Sequence, residues 1–209
     1  STYFVDASGL SPQNVSKTFE HADLFSLYDV DFFTVEIEDK HSYSFREDIK
    51  NLAATIRKLL QETIGKKCDD PADAKRLFNY IDTLPTCRAV WRLRLFALVQ
   101  CPTVFKDELK TAFFKLFEVE NYYDIEGGAE YKKALKISFP YLSETDQREY
   151  VSNVLKYFSK KSEEHLNQVW HKRTGWQILS SICAYLKDDE AKKCEEKFGT
   201  KSDAEYVPE

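Results

Sequence analysis

The chain has 209 residues, 43% of them apolar and 31% charged, with a formal net charge of −5. That balance excludes an intrinsically disordered chain, and it excludes a surface that is cationic throughout, as coating a phosphate backbone would require. Only 6 Gly and 6 Pro leave few positions for turns, so the composition predicts a mostly all-α fold built from long helices.

The first segment differs from the rest. The chain opens on Ser1, as an excised domain or a processed chain would, and residues 1–43 are expected to hold a short helix and a strand. Pro12 suits the first position of a helix over SPQNVSKTF. In DFFTVEIED, Phe33, Val35 and Ile37 alternate with Thr34, Glu36 and Glu38, which is the period of a half-buried strand. A lone strand needs a partner, supplied by a hairpin, another domain or another chain.

A helical domain is predicted over 44–199, followed by a tail at 200–209. Ser44 and Glu47 match a capping box, and Phe45, Ile49, Leu52, Ala53, Ile56, Leu59, Leu60 and Ile64 then recur three and four apart. Gly65 reads as the stop of that helix. A shorter helix follows through Leu77, Phe78 and Ile81, closed by Pro85. The stretch WRLRLFALVQCP then places Arg92 and Arg94 in a helix over roughly 87–100 that is apolar on nearly every side, as a helix sandwiched between neighbours would be. Its arginines must reach the rim or pair with carboxylates, because an unpaired buried guanidinium is too costly.

The 5 Cys show no CxxC spacing and are odd in number, so they read as free thiols of a cytoplasmic or nuclear protein. No apolar run approaches the length of a membrane span and no secretory start is visible, so no membrane association is expected, and the Asn14-Val15-Ser16 glycosylation pattern is set aside.

Self-similarity organises the later chain. Leu93-Arg94-Leu95-Phe96, Leu135-Lys136-Ile137-Ser138 and Trp176-Gln177-Ile178-Leu179 begin 42 and 41 residues apart. The helix FKDELKTAFFKLF lies over DQREYVSNVLKYF at the same offset, with Leu109, Phe113, Leu116 and Phe117 falling on Tyr150, Val154, Tyr157 and Phe158. Ser143 and Asp146 cap the later helix. Over roughly residues 70–187 this pattern resembles HEAT and armadillo α-solenoids, whose repeats of this length stack helix pairs. Gly127-Gly128 and the connector ENYYDIEGG depart from a regular repeat.

The resemblance implies a non-catalytic scaffold that presents its second helices to a protein partner, as part of a larger protein or complex. Arg88, Arg92, Arg94, Lys132, Lys133, Lys136, Trp170, His171, Lys172 and Arg173 are the candidate binding residues, with Trp176 and Tyr185 as further anchors. The alternatives are a nucleic-acid-binding helical domain using the same cations, as HEAT-like DNA glycosylases grip a duplex, and a helical accessory domain of an enzyme such as an ATPase. No catalytic residue, cofactor or metal is implied. His21, His41, His165 and His171 lack ligand spacing, and Asp31 with Glu38-Asp39-Lys40 only faintly matches a metal-nuclease arrangement.

Overall fold

A computed structural model describes residue 32 and residues 45–84, 88–118, 129–164 and 168–199. Among them are eight α-helices and no strand. The helices are α1 (Phe45–Thr63), α2 (Pro71–Asp82), α3 (Arg88–Leu98), α4 (Lys106–Phe114), α5 (Ala129–Ser138), α6 (Glu144–Glu164), α7 (Gln168–Ser181) and α8 (Asp188–Phe198). The expected strand at 31–39 and the short helix after Ser11 lie outside the described residues, Phe32 apart. No described helix is long and apolar enough to cross a membrane. The chain divides into two compact units, residues 1–105 with 121–131, and residues 106–120 with 132–209.

In the first unit, α1 buries Ala53, Ala54 and Leu60, and Ile64 just after it is buried too, whereas Leu52 and Leu59 on the edge of the expected stripe are exposed. Gly65 does not end α1 in a left-handed conformation. The chain instead tightens into a 3₁₀ turn over Gly65–Lys67, and Gly199 is the one described residue with positive φ. A fresh start is then made at Asp70, whose carboxylate accepts from the Asp73 backbone N–H at 3.1 Å, with Pro71 in the first turn. Helix α2 turns Ala74, Phe78 and Ile81 inward, and the Phe78 ring lies 5.2 Å from that of Phe105. Helix α3 buries Trp91, Leu93, Leu95, Phe96, Ala97 and Leu98, so the breadth of apolar residues in WRLRLFAL is explained by cover on most sides. Phe32 packs on Phe96 at 6.4 Å.

The expectation of uniformly free thiols needs correction. Cys68 and Cys101 are joined in a disulfide that ties the turn after α1 to the segment after α3, while Cys183 and Cys194 are free. An odd cysteine count does not forbid one bond between two of the five, and the spacing of 33 residues carries no local motif. The step from free thiols to a cytoplasmic or nuclear setting therefore loses its basis at this pair.

In the second unit, side chains of the two stretches aligned at the 41-residue offset pack together, though not pair by aligned pair. Leu109, Phe113 and Leu116 are fully buried, as are Tyr150, Val154 and Phe158. The Phe113 and Phe117 rings lie 6.4 and 5.5 Å from the ring of Tyr150, and Phe117 lies 5.8 Å from Tyr157. Edge-on contacts of this kind add to the area such rings bury. The cap of α6 forms as expected, with Ser143 Oγ accepting from the Asp146 backbone N–H at 3.1 Å. Helix α7 packs along α6, and α8 packs against both. Gly175 makes that approach close, since a Cβ there would sit 2.8 Å from the Phe198 ring and 2.9 Å from Phe158 Cβ. Arg148 on α6 pairs with Glu190 on α8 and donates to the Tyr185 carbonyl at 2.8 Å. Gly199, at φ 87°, terminates α8.

Candidate interaction site

The candidate cations divide by unit and by use. In the first unit, the Arg92 and Glu130 side chains are each only 4% exposed and pair at 3.5 Å. Arg94 spans from α3 to the end of α2. Its guanidinium meets the Asp82 carboxylate at 3.2 Å and donates to the carbonyls of Asp82 and Leu84 at 2.7 and 2.6 Å. The Asp82 carbonyl closes the last turn of α2 and the Leu84 carbonyl lies just past it, where partners within the helix run out and a cation is favoured. Both arginines are thus consumed inside the unit. Arg88 opens α3, and its side chain lies outside the described ones.

In the second unit, the structure brings two of the predicted helices together. Lys132 Nζ on α5 donates to Gln177 Oε1 on α7 at 3.1 Å. Lys132, Lys133 and Lys136 follow one another along the outer side of α5, because Tyr131, Ala134, Leu135 and Ser138 take its inner side. On α7 the inner side is His171, Thr174, Ile178 and Leu179, which leaves Lys172, Arg173 and Trp176 directed outward. Trp170, 48% exposed, lies two turns from Gln177 on one stripe, at a separation of about 10 Å along the axis. His171 is 6% exposed and packs inward, so it does not join this face. Trp176 is half-buried, and Tyr185 leans on Phe139 with ring centroids 5.9 Å apart.

Two features make this face unusual in an acidic chain. Helix α7 contains no Asp or Glu, and the sole carboxylate of α5 is the buried Glu130. The same two helices also carry exposed apolar side chains, Ile137 at 44% and Val169 at 61%. These two apolar residues were not among the candidates. Ile137 aligns in the sequence with Leu95 and Ile178, which are buried, so its exposure departs from that register, whereas Val169 becomes meaningful only once the exposed side of α7 is known.

Among the described residues no group of three or more His, Cys, Asp or Glu is placed to hold a metal ion. His21, His41, His165, Asp31 and Glu38-Asp39-Lys40 lie outside the described residues. No family model, curated protein or solved structure matches the chain.

Proposed function

We propose that this chain is a non-catalytic protein-interaction module of paired, HEAT-like helices, and that its α5–α7 face receives an acidic segment of a partner protein. The supporting observation is the composition of the outward sides of α5 and α7, which are linked by Lys132 and Gln177. Those sides carry Lys132, Lys133, Lys136, Lys172 and Arg173 together with exposed Trp170, Ile137 and Val169, and no carboxylate of either helix. Cations beside an exposed aromatic ring provide steering and an anchor in one place. The aliphatic side chains distinguish the occupant, since Ile137 and Val169 offer nothing to a sugar-phosphate chain but match an acidic peptide that also carries Leu or Phe. The ring contacts of Phe113 and Phe117 with Tyr150 and Tyr157, between stretches that share apolar spacing at a 41-residue offset, are what supports paired repeats over an arbitrary bundle.

The test is a titration of the full chain, followed by tryptophan fluorescence, with synthetic peptides of alternating acidic and bulky apolar character, their charge-reversed versions, and single- and double-stranded oligonucleotides. Acidic peptides are expected to bind. The double variant Lys136→Glu/Arg173→Glu is expected to weaken them by about tenfold or more, each tenfold being about 1.4 kcal/mol. Retention of oligonucleotides with a steep loss on adding salt would replace this reading with nucleic-acid binding. Peptide binding untouched by the double variant would dismiss this face.

A further inference from the structure

A second observation, independent of the interaction face, lies in the first unit. The Cys68–Cys101 bond links two points 33 residues apart, with Cα atoms at 5.3 Å, and so encloses α2 and α3 between its ends. We infer that the mature chain carries this bond as a permanent brace of the first unit, closed in an environment that supplies a disulfide oxidant, and that it is not a reversible switch.

The sides of the bond differ in access. Cys101 is fully buried, whereas Cys68 is partly exposed in the turn that leads into α2. A reducing thiolate therefore reaches the Cys68 sulfur first and must expel Cys101 as a thiolate into surroundings that solvate charge poorly. Reduction of the folded protein is disfavoured at that step. Closure has no such obstacle before the unit is packed. The Cys68 thiolate attacks a disulfide oxidant, such as oxidised glutathione or a disulfide oxidoreductase, forming a mixed disulfide and releasing one oxidant thiol. Cys101 then attacks the Cys68 sulfur and releases the second. The chain loses two protons and two electrons, and the electrons leave on the oxidant's two sulfurs.

The other described cysteines do not compete well for this role. Cys194 is buried on α8, and desolvation pushes its thiol up to about 11, so little of it is thiolate at neutral pH. Cys183 is exposed and serves as an internal control for reagent access.

The experiment is thiol mapping on the full chain isolated from its native cells, with an alkylating reagent present from lysis. The expected result is that Cys183 is modified without denaturant, Cys194 is modified once the chain is denatured, and Cys68 and Cys101 are modified only after denaturation and reduction, their peptides leaving joined beforehand. A second measurement compares the melting temperature of the oxidised chain with that of chain unfolded, reduced and refolded in reductant. A loss of about 10 °C is expected for a loop of this length. Alkylated Cys68 and Cys101 in unreduced native protein, or equal melting temperatures of the two forms, would overturn the inference. Rapid reduction of the folded protein would overturn the brace in favour of a switch.

Discussion

Helices α3 and α7 begin alike, with RAVWRLRLF in one and QVWHKRTGW in the other, each setting basic residues one to three places after a tryptophan. Their use of those residues is opposite. The α3 arginines are taken up by Glu130, Asp82 and two carbonyls within the first unit, and Trp91 beside them is buried. On α7, Lys172 and Arg173 turn outward and Trp170 is half in solvent. A cation's role is set less by its own helix than by whether another element brings a carboxylate or a spent helix end within reach. Where one does, the guanidinium becomes structural; where none does, it is available to something else.

The sharpest way to break this contrast is at Arg92. Arg92→Ala leaves the Glu130 carboxylate buried without its cation, and a loss of about 3–5 kcal/mol in urea unfolding is expected. Replacing both partners, Arg92→Met with Glu130→Leu, is expected to restore most of it, because neither charge then remains to be desolvated. A loss under about 1 kcal/mol for the single change would show that the pair behaves as a solvated one. Arg94→Ala comes next, at about 1.5–3 kcal/mol, the range for hydrogen bonds made by a charged group. Amide hydrogen exchange should localise that loss to the last turn of α2, and Arg94→Lys should recover only part, since an ammonium cannot span two carbonyls and a carboxylate as a planar fork does. The opposite outcome is expected in the second unit. Lys136→Glu with Arg173→Glu should leave unfolding free energy within about 0.5 kcal/mol of the parent while peptide affinity falls. Equal destabilisation in both units would erase the distinction.

The smallest effect tests a paired cation on the exterior. Lys110 hydrogen-bonds Asp146 and holds its carboxyl below the ordinary value, with Ser143 as the second cause. A lowered folded-state pKa stabilises the protein above the ordinary carboxylate range, and that contribution disappears as pH falls through the lowered value. Asp146→Asn should therefore melt slightly below the parent at neutral pH, with the gap closing in acid. A gap that widens on acidification would reverse the assigned sign.

Much of the helical scaffold was legible in the chain because apolar spacing and cap residues act locally. Ser143 with Asp146 marks a start that the structure shows bonded, whereas the start at Asp70 and Pro71 lay within what the spacing gave as a polar connector. Apolar spacing also marked Leu109, Phe113, Leu116, Tyr150, Val154 and Phe158 as inward, while Phe117 and Tyr157, aligned with Phe158 and Leu116, are only half-buried. Helix α8 escaped notice as a separate element, since DDEAKKCEEKF buries only Cys194 and Phe198 and shows little periodicity; its acidic first turn and Gly199 were the available signals. The direction of individual cations could not be read, for Glu130 lies 38 residues beyond Arg92 and nothing local links them. The disulfide was hidden for the same reason.

Gly175 carries a last consequence. With the Phe198 ring and Phe158 Cβ within 2.9 Å of where a Cβ would stand, α7 keeps its present distance from α6 and α8 only with glycine at this position. A side chain at 175 would push α7 outward and carry Arg173 and Trp170 with it.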